Sequence, residues 1–162
     1  MLDFLTDNTQ HIAKKSQQQL YFLRKLRKFG LSSKLLSNFY RCTVESLLSN
    51  SIEVWFGNCT VQVRKAVQRV IKTAQYICGA AFPSLQDIYN TRVTKRAHNI
   101  TKDTTHPQHT LLPPGRRYRS VKARTTRLKN SFYPQAIRLL NYSIKHCLCT
   151  IFNTVNYIYF QL

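Results

Sequence analysis

Apolar positions recur along most of this chain at helical spacing, and cationic residues fill the gaps between them. From His11 to Phe29 the apolar-facing positions are Ile12, Ser16, Leu20, Leu23 and Leu26, with Phe22 and Phe29 beside them. That spacing predicts a helix with Lys14, Lys15, Arg24, Lys25, Arg27 and Lys28 on its other sides. Gly30 follows a basic last turn, a combination that stops helices. Ser32 or Ser33 can cap a second helix whose stripe is Leu35, Leu36, Phe39, Tyr40, Thr43, Val44, Leu47 and Leu48. Apolar pairs repeating every four residues predict a wide buried face. The polar run at 49–51 ends it, and Ile52–Phe56 reads as one apolar turn packed under the helices.

The most regular helix is expected from a Thr60 cap to about Cys78. Val63, Ala66, Val67, Val70, Ile71, Ala74 and Ile77 form its stripe. Arg64, Lys65, Gln68, Arg69 and Lys72 make the opposite face, and Gly79 terminates it. Ser84 and Asp87 stand at capping-box spacing before a further helix with Leu85, Ile88, Tyr89, Val93, Ala97 and Ile100 inward. Beyond it, 104–115 is a Pro-containing loop, and Arg116–Lys129 is too poor in apolar residues to bury. Ser131–Asn141 predicts a short helix with Pro134 in its first turn.

These elements predict a mainly α fold, a small bundle of four to five amphipathic helices with a basic, poorly ordered C-terminal third. The expected organisation is a disordered lead at 1–10, the bundle at 11–103, a basic loop or arm at 104–130 and a short helix at 131–141. An apolar tail at 142–162, without charge in its last part, stands outside the domain. The opening Met1-Leu-Asp-Phe reads as an arbitrary start.

Composition changes the picture mainly through charge. An apolar fraction of 43% is enough for a core. Twenty-five Lys and Arg face six Asp and Glu, a net charge of +19. Such an excess repels itself and favours a polyanion as partner, nucleic acid before an anionic membrane. The candidate nucleic-acid-binding residues are Arg24, Lys25, Arg27 and Lys28 in the first helix and Arg64, Lys65, Arg69 and Lys72 in the third. In the arm they are Arg116, Arg117, Tyr118, Arg119, Lys122, Arg124 and Arg127. Tyr118, set between arginines, can stack on an unpaired base or pack back on the bundle.

Catalytic chemistry finds no support in the sequence. The acids Asp3, Asp7, Glu45, Glu53, Asp87 and Asp103 are isolated, and none follows Asp103. No His is followed two residues later by Asp or Glu, as a local non-haem iron motif would require. His106 and His109 with Cys147 and Cys149 do not have zinc-site spacing, and the single glycines make no phosphate loop. No catalytic residue, metal or cofactor is expected. Five irregularly spaced cysteines and an opening without a signal-peptide pattern point to reduced thiols in an intracellular chain, nuclear or cytoplasmic.

Several ordered segments bear a resemblance. KKSQQQLYFLRKLRKFGLSSKLLSNFYRCTVESLLSNSIEVWFGNCT, RKAVQRVIKTAQYICG, PSLQDIY, RAHNITKDTTHPQH and GRRYRSVKARTTRLKNSFYPQAIRLLN resemble the region after the polymerase core in LINE-type (non-LTR) retrotransposon reverse transcriptases. The likeness spans about 11–141. It implies a truncated, thumb-like, nucleic-acid-contacting fragment whose partners are RNA or single-stranded DNA, a retroelement transcript or target site. No small-molecule substrate and no membrane are expected; the oligomeric state stays open. The family's catalytic aspartates lie in a Tyr-x-Asp-Asp motif, and this chain has no Asp-Asp pair. Such an origin would also leave Phe22, Phe29 and Trp55 exposed, facing a core supplied by the rest of the enzyme. Residues 142–162 do not look like family sequence and read as readthrough into non-coding DNA. The alternative is a domesticated helical protein-interaction module. The segment around 14–59 also resembles the N-terminal region of AlkB homologues. That label alone would imply methyltransferase or Fe(II)/2-oxoglutarate dioxygenase activity.

Overall fold

The computed structural model describes residues 2–112 and 117–144, with side chains from Asp7 onward. Among the described residues the secondary structure is helical throughout, without a strand. The chain divides into two units, Met1–Thr91 and Arg92–Leu162, and the boundary falls inside one continuous helix.

In the first unit, α1 (Leu2–Lys28) is longer than the sequence predicts. The disordered lead expected at 1–10 is helical from residue 2. Thr9 is buried, one helical turn before the buried Ile12 and two before Ser16, so the inner stripe starts earlier than its apolar residues reveal. Ser16 sits fully buried in the stripe because its hydroxyl donates to the Ile12 carbonyl at 2.7 Å. Gly30 closes α1 at φ +78°, with its N–H on Arg27 O and the Leu31 N–H on Leu26 O. That is the Schellman pattern, which a side chain at this position would strain.

The next helical run, α2 (Ser33–Tyr40), passes through a π-turn (Arg41–Glu45) into α3 (Ser46–Ser49). Its N-cap is Ser32, which accepts from the Leu35 N–H. Leu36, Tyr40, Val44, Leu48 and Ile52 are all fully buried, at a strict spacing of four. A straight helix of 3.6 residues per turn would rotate that row by about 40° at each step. The π-turn, where the Ser46 N–H reaches back to Arg41 O, underwinds the chain and keeps the row on the core. Of each apolar pair only one member is buried in the first turn: Leu35 stays exposed while Leu36 is enclosed.

Ser51 then adopts a left-handed conformation at φ 49° and breaks the run. The break turns α4 (Ile52–Trp55) inward. Trp55 is 2% exposed and its indole N–H donates to Asn50 O at 3.1 Å. The expectation that Trp55 faces a missing core is therefore corrected; Phe22 and Phe29 are exposed as expected. α5 (Val61–Cys78) starts at the Thr60 cap and ends at Gly79, φ +64°. It packs more extensively on α1 than any other pair of elements, and α2 contacts both. Phe82 returns from the following loop to stack on Tyr40, centroids 4.0 Å apart, and Gln75 holds its carbonyl. The capping box forms as predicted: Asp87 N–H donates to the Ser84 hydroxyl and Ser84 N–H to the Asp87 carboxylate.

The boundary helix is α6 (Leu85–Lys102). In the second unit its residues Val93, Ala97 and Ile100 are buried, as are Leu112, Pro134, Ala136, Ile137 and Leu140. A short α7 (Thr126–Lys129) precedes α8 (132–144). The segment expected as a solvated arm is fastened in place. The Asn141 side chain accepts from the Tyr118 N–H at 2.9 Å and donates to the Tyr118 carbonyl at 3.0 Å. Arg116 and the greater part of the 142–162 tail, from 145 on, lie outside the described residues.

Two outcomes follow for stability. Trp55→Ala is expected to cost about 3–5 kcal/mol, whereas Phe29→Ala stays within about 0.5 kcal/mol, both read from urea midpoints. Burial also keeps the Tyr40 hydroxyl protonated well above its ordinary range, and that hydroxyl finds no hydrogen-bond partner among the described residues. In the unfolded chain a tyrosine ionises near pH ~10, so above that the unfolded state binds fewer protons and stability falls as pH rises. Below pH ~10 the group contributes no slope. Tyr40→Phe should shrink the loss of urea midpoint between about pH 8 and about pH 11.

Candidate nucleic-acid interface

The two basic helices of the first unit end together. The Ser33 hydroxyl donates to the Cys78 carbonyl, so the start of α2 sits on the last turn of α5. Because α1 ends only a few residues before Ser33, the C-terminal turns of α1 and α5 share one end of the unit. Arg27 lies close enough to act electrostatically on the Cys78 thiol; burial dominates there and pushes the thiol pKa up. Helix C-termini carry partial negative charge, and Lys25, Arg27 and Lys28 in the last turn of α1 complement it.

The outward faces follow from which face each helix buries. On α5 the inner stripe of Val63, Val67, Val70, Ile71, Ala74 and Ile77 leaves Lys65, Arg69, Lys72 and Tyr76 in line on the solvent side. Tyr76, 90% exposed, is an interface candidate that counting cations does not find. Its signal in the sequence is its spacing of four from Lys72. On α1, Lys14, Tyr21, Lys25 and Lys28 line up opposite Leu20 and Leu23. Arg24, Lys25, Arg27 and Lys28 are all exposed, as are Lys65, Arg69 and Lys72.

Arg64 is a structural residue as well as a cation. Its guanidinium donates to the Phe56 carbonyl at 3.1 Å and lies 4.5 Å over the Phe56 ring. Phe56 in turn packs on Tyr89, centroids 4.7 Å apart. Arg64 thus ties α5 to the 3-10 turn after α4.

In the second unit Arg117, Arg119, Lys122, Arg124 and Arg127 are exposed, while Tyr118 is half-buried. The Asn141 clamp acts on the backbone of Tyr118 and leaves the flanking arginines outward. A shallow pocket between Ser120, Val121 and Ala123 of the arm and Pro134, Ile137 and Arg138 of α8 shows the arm lying along that helix. Arg96 sits 5.2 Å over the Phe132 ring.

Among the described residues no three His, Cys, Asp or Glu side chains converge on a common point. The described residues therefore do not fit an iron centre, which takes two His and a carboxylate. Cys42, Cys59 and Cys78 are free thiols. No described helix is long and apolar enough to cross a membrane.

Residues 5–46 match the family model described as alkylated DNA repair protein alkB homolog 8, N-terminal. The match covers α1, α2 and the π-turn, so the resemblance expected over 14–59 is found, beginning and ending earlier. No curated protein matches the chain, and no solved structure does.

The division of labour on α5 is testable by denaturation. Arg64→Ala is expected to lower stability by about 1–2 kcal/mol, because it removes a charged hydrogen bond and a cation–ring interaction. Lys65→Ala should stay within about 0.5 kcal/mol.

Proposed function

We propose that this chain is a non-catalytic nucleic-acid-binding module, a fragment derived from the C-terminal region of a LINE-type reverse transcriptase, which binds RNA or single-stranded DNA through its basic helix faces. One observation carries the binding reading. Beyond Asp7 the outward stripe of α1 contains cations and no carboxylate, and α5 has no acid at all. A surface made only for solubility mixes both signs. A row of cations along a helix, at 1.5 Å per residue, suits a phosphate backbone. The arm, with Arg117, Arg119, Lys122, Arg124 and Arg127 exposed, adds a second basic region.

The family matched over 5–46 is named for DNA repair, which supports a nucleic-acid partner. The enzymatic half of that name is not carried over. The match spans 42 of 162 residues, and no metal-holding cluster is found among the described ones. The retroelement origin rests on the order of the sequence segments, from the basic first helix to the GRRYRS arm.

Binding is expected to fall linearly in log–log form with salt, by about 10³-fold or more between 50 and 200 mM if six or more phosphates are engaged. Lys65→Glu with Arg69→Glu should weaken binding across sequences and flatten the salt slope by about one for each phosphate no longer neutralised. Arg64 is left intact in that variant because it supports the fold. Fluorescence anisotropy with labelled oligonucleotides measures both, and absence of binding at low salt would sink the reading.

A further inference from the structure

We propose that the outer face of α1 is a stacking platform for unpaired bases, with Tyr21, Phe22 and Phe29 taking the bases and Lys14, Lys25 and Lys28 their phosphates. The inference rests on the nucleic-acid reading above and names a site within it that recognises single strands.

Three aromatic rings stand on the solvent side of α1 and of the turn that closes it. Tyr21 and Phe22 are 52% and 51% exposed, and Phe29 is 78% exposed. The inner face of the same helix is already occupied, with Leu23 and Ser16 fully buried. The rings are therefore not a displaced part of the core stripe. The large apolar side chains that α1 leaves exposed are aromatic, and Leu26, between Phe22 and Phe29, is half-buried. A surface meant for a protein core or for lipid would offer aliphatic groups as well, and an interfacial membrane helix needs a broad apolar face. Isolated rings among lysines match a ligand with flat π-faces and negative charge, which is single-stranded nucleic acid.

The local geometry suits that ligand. Tyr21 and Phe22 pack edge to face at 5.8 Å and 70°, which holds the two rings at a steep angle to one another. The Lys25 ammonium lies 5.0 Å from the centre of the Tyr21 ring, so cation and ring are held together before any ligand arrives. The Phe29 N–H still donates to the Lys25 carbonyl, so Phe29 continues the helix direction. Seven residues separate Phe22 from Phe29, about 10 Å along the axis, or roughly three nucleotides at ~3.4 Å per step. A duplex keeps its base faces inside and cannot use these rings.

The test uses the full chain and three probes: labelled oligo(dT) or oligo(U) of about 20 nucleotides, a duplex of equal length, and phosphatidylserine-containing vesicles. The variant is Tyr21→Ala/Phe22→Ala/Phe29→Ala. Single-strand affinity is expected to drop about tenfold or more while duplex affinity changes less than about threefold, with the salt slope unchanged because no charge is removed. Far-ultraviolet circular dichroism checks the fold of the variant. Independently, 5-iodouracil oligonucleotides should photocrosslink the wild-type chain within the tryptic peptides Ser16–Arg24 and Phe29–Lys34. Equal losses for single strand and duplex, no loss, crosslinks confined elsewhere, or a loss of vesicle binding alone would overturn the proposal while leaving the basic-face reading standing. No binding to any oligonucleotide overturns both.

Discussion

The packing of α1 on α5 is the constraint on which the rest depends, because two strongly basic helices must lie side by side. Between them they carry Lys14, Lys15, Arg24, Lys25, Arg27, Lys28, Arg64, Lys65, Arg69 and Lys72. Unscreened, each close pair of like charges costs about 1 kcal/mol in water, and salt reduces this further. Each fully enclosed Leu, Ile or Val contributes about 1.5–3 kcal/mol. Leu23, Val67, Ile71 and Ala74 are all fully buried, so the seam outweighs repulsion as long as the cations stay outside. That requirement fixes the rotation of both helices. It places Lys65, Arg69 and Lys72 outward by elimination, and it allows Arg64, at the edge of the seam, to turn onto Phe56.

Much of this was legible in the sequence, and the exceptions have local causes. The stripes of α1, α5 and α6 and the caps at Ser32, Thr60 and Ser84 lie where periodicity and side-chain chemistry put them. The segment 33–56 was harder. Its apolar pairs leave two rows possible, and the π-turn decides that Leu36, Tyr40, Val44 and Leu48 form the buried one. A π-turn has no composition signal; Thr43 and Ser46, whose hydroxyls donate to Phe39 O and Cys42 O, are ordinary helix residues otherwise. Trp55 was ambiguous for a related reason. Its direction depends on the left-handed Ser51, a conformation usually left to glycine or asparagine.

The candidate interface was legible in its charges and opaque in its fastenings. Counting cations found the exposed lysines and arginines of α1 and α5, but it could not separate Arg64 from Lys65, since the distinction is a hydrogen bond to a carbonyl eight residues away. The arm shows the same limit. Asn141 and Tyr118 are 23 residues apart, and nothing in either segment announces that one amide would pair with both backbone groups of the other. Low apolar content correctly marks a segment that cannot build a core, yet such a segment can still be tied down by one bidentate side chain.

What a helix shows to solvent is informative here because the fold does not dictate it. The inner faces of α1 and α5 are fixed by packing, and almost any polar residue would serve outside. Lysine and arginine there keep the chain soluble as well as binding a polyanion, and what marks these faces is that they carry so few carboxylates beside the cations. Aromatic rings are different. Leaving Tyr21, Phe22, Phe29 and Tyr76 half or more exposed brings the fold nothing that a glutamine in the same place would not. On each helix an exposed ring stands four residues from a lysine, Tyr21 before Lys25 and Tyr76 after Lys72. Under the proposed reading, two helices that share an end and each set an exposed ring beside cations would meet one extended, flexible polyanion.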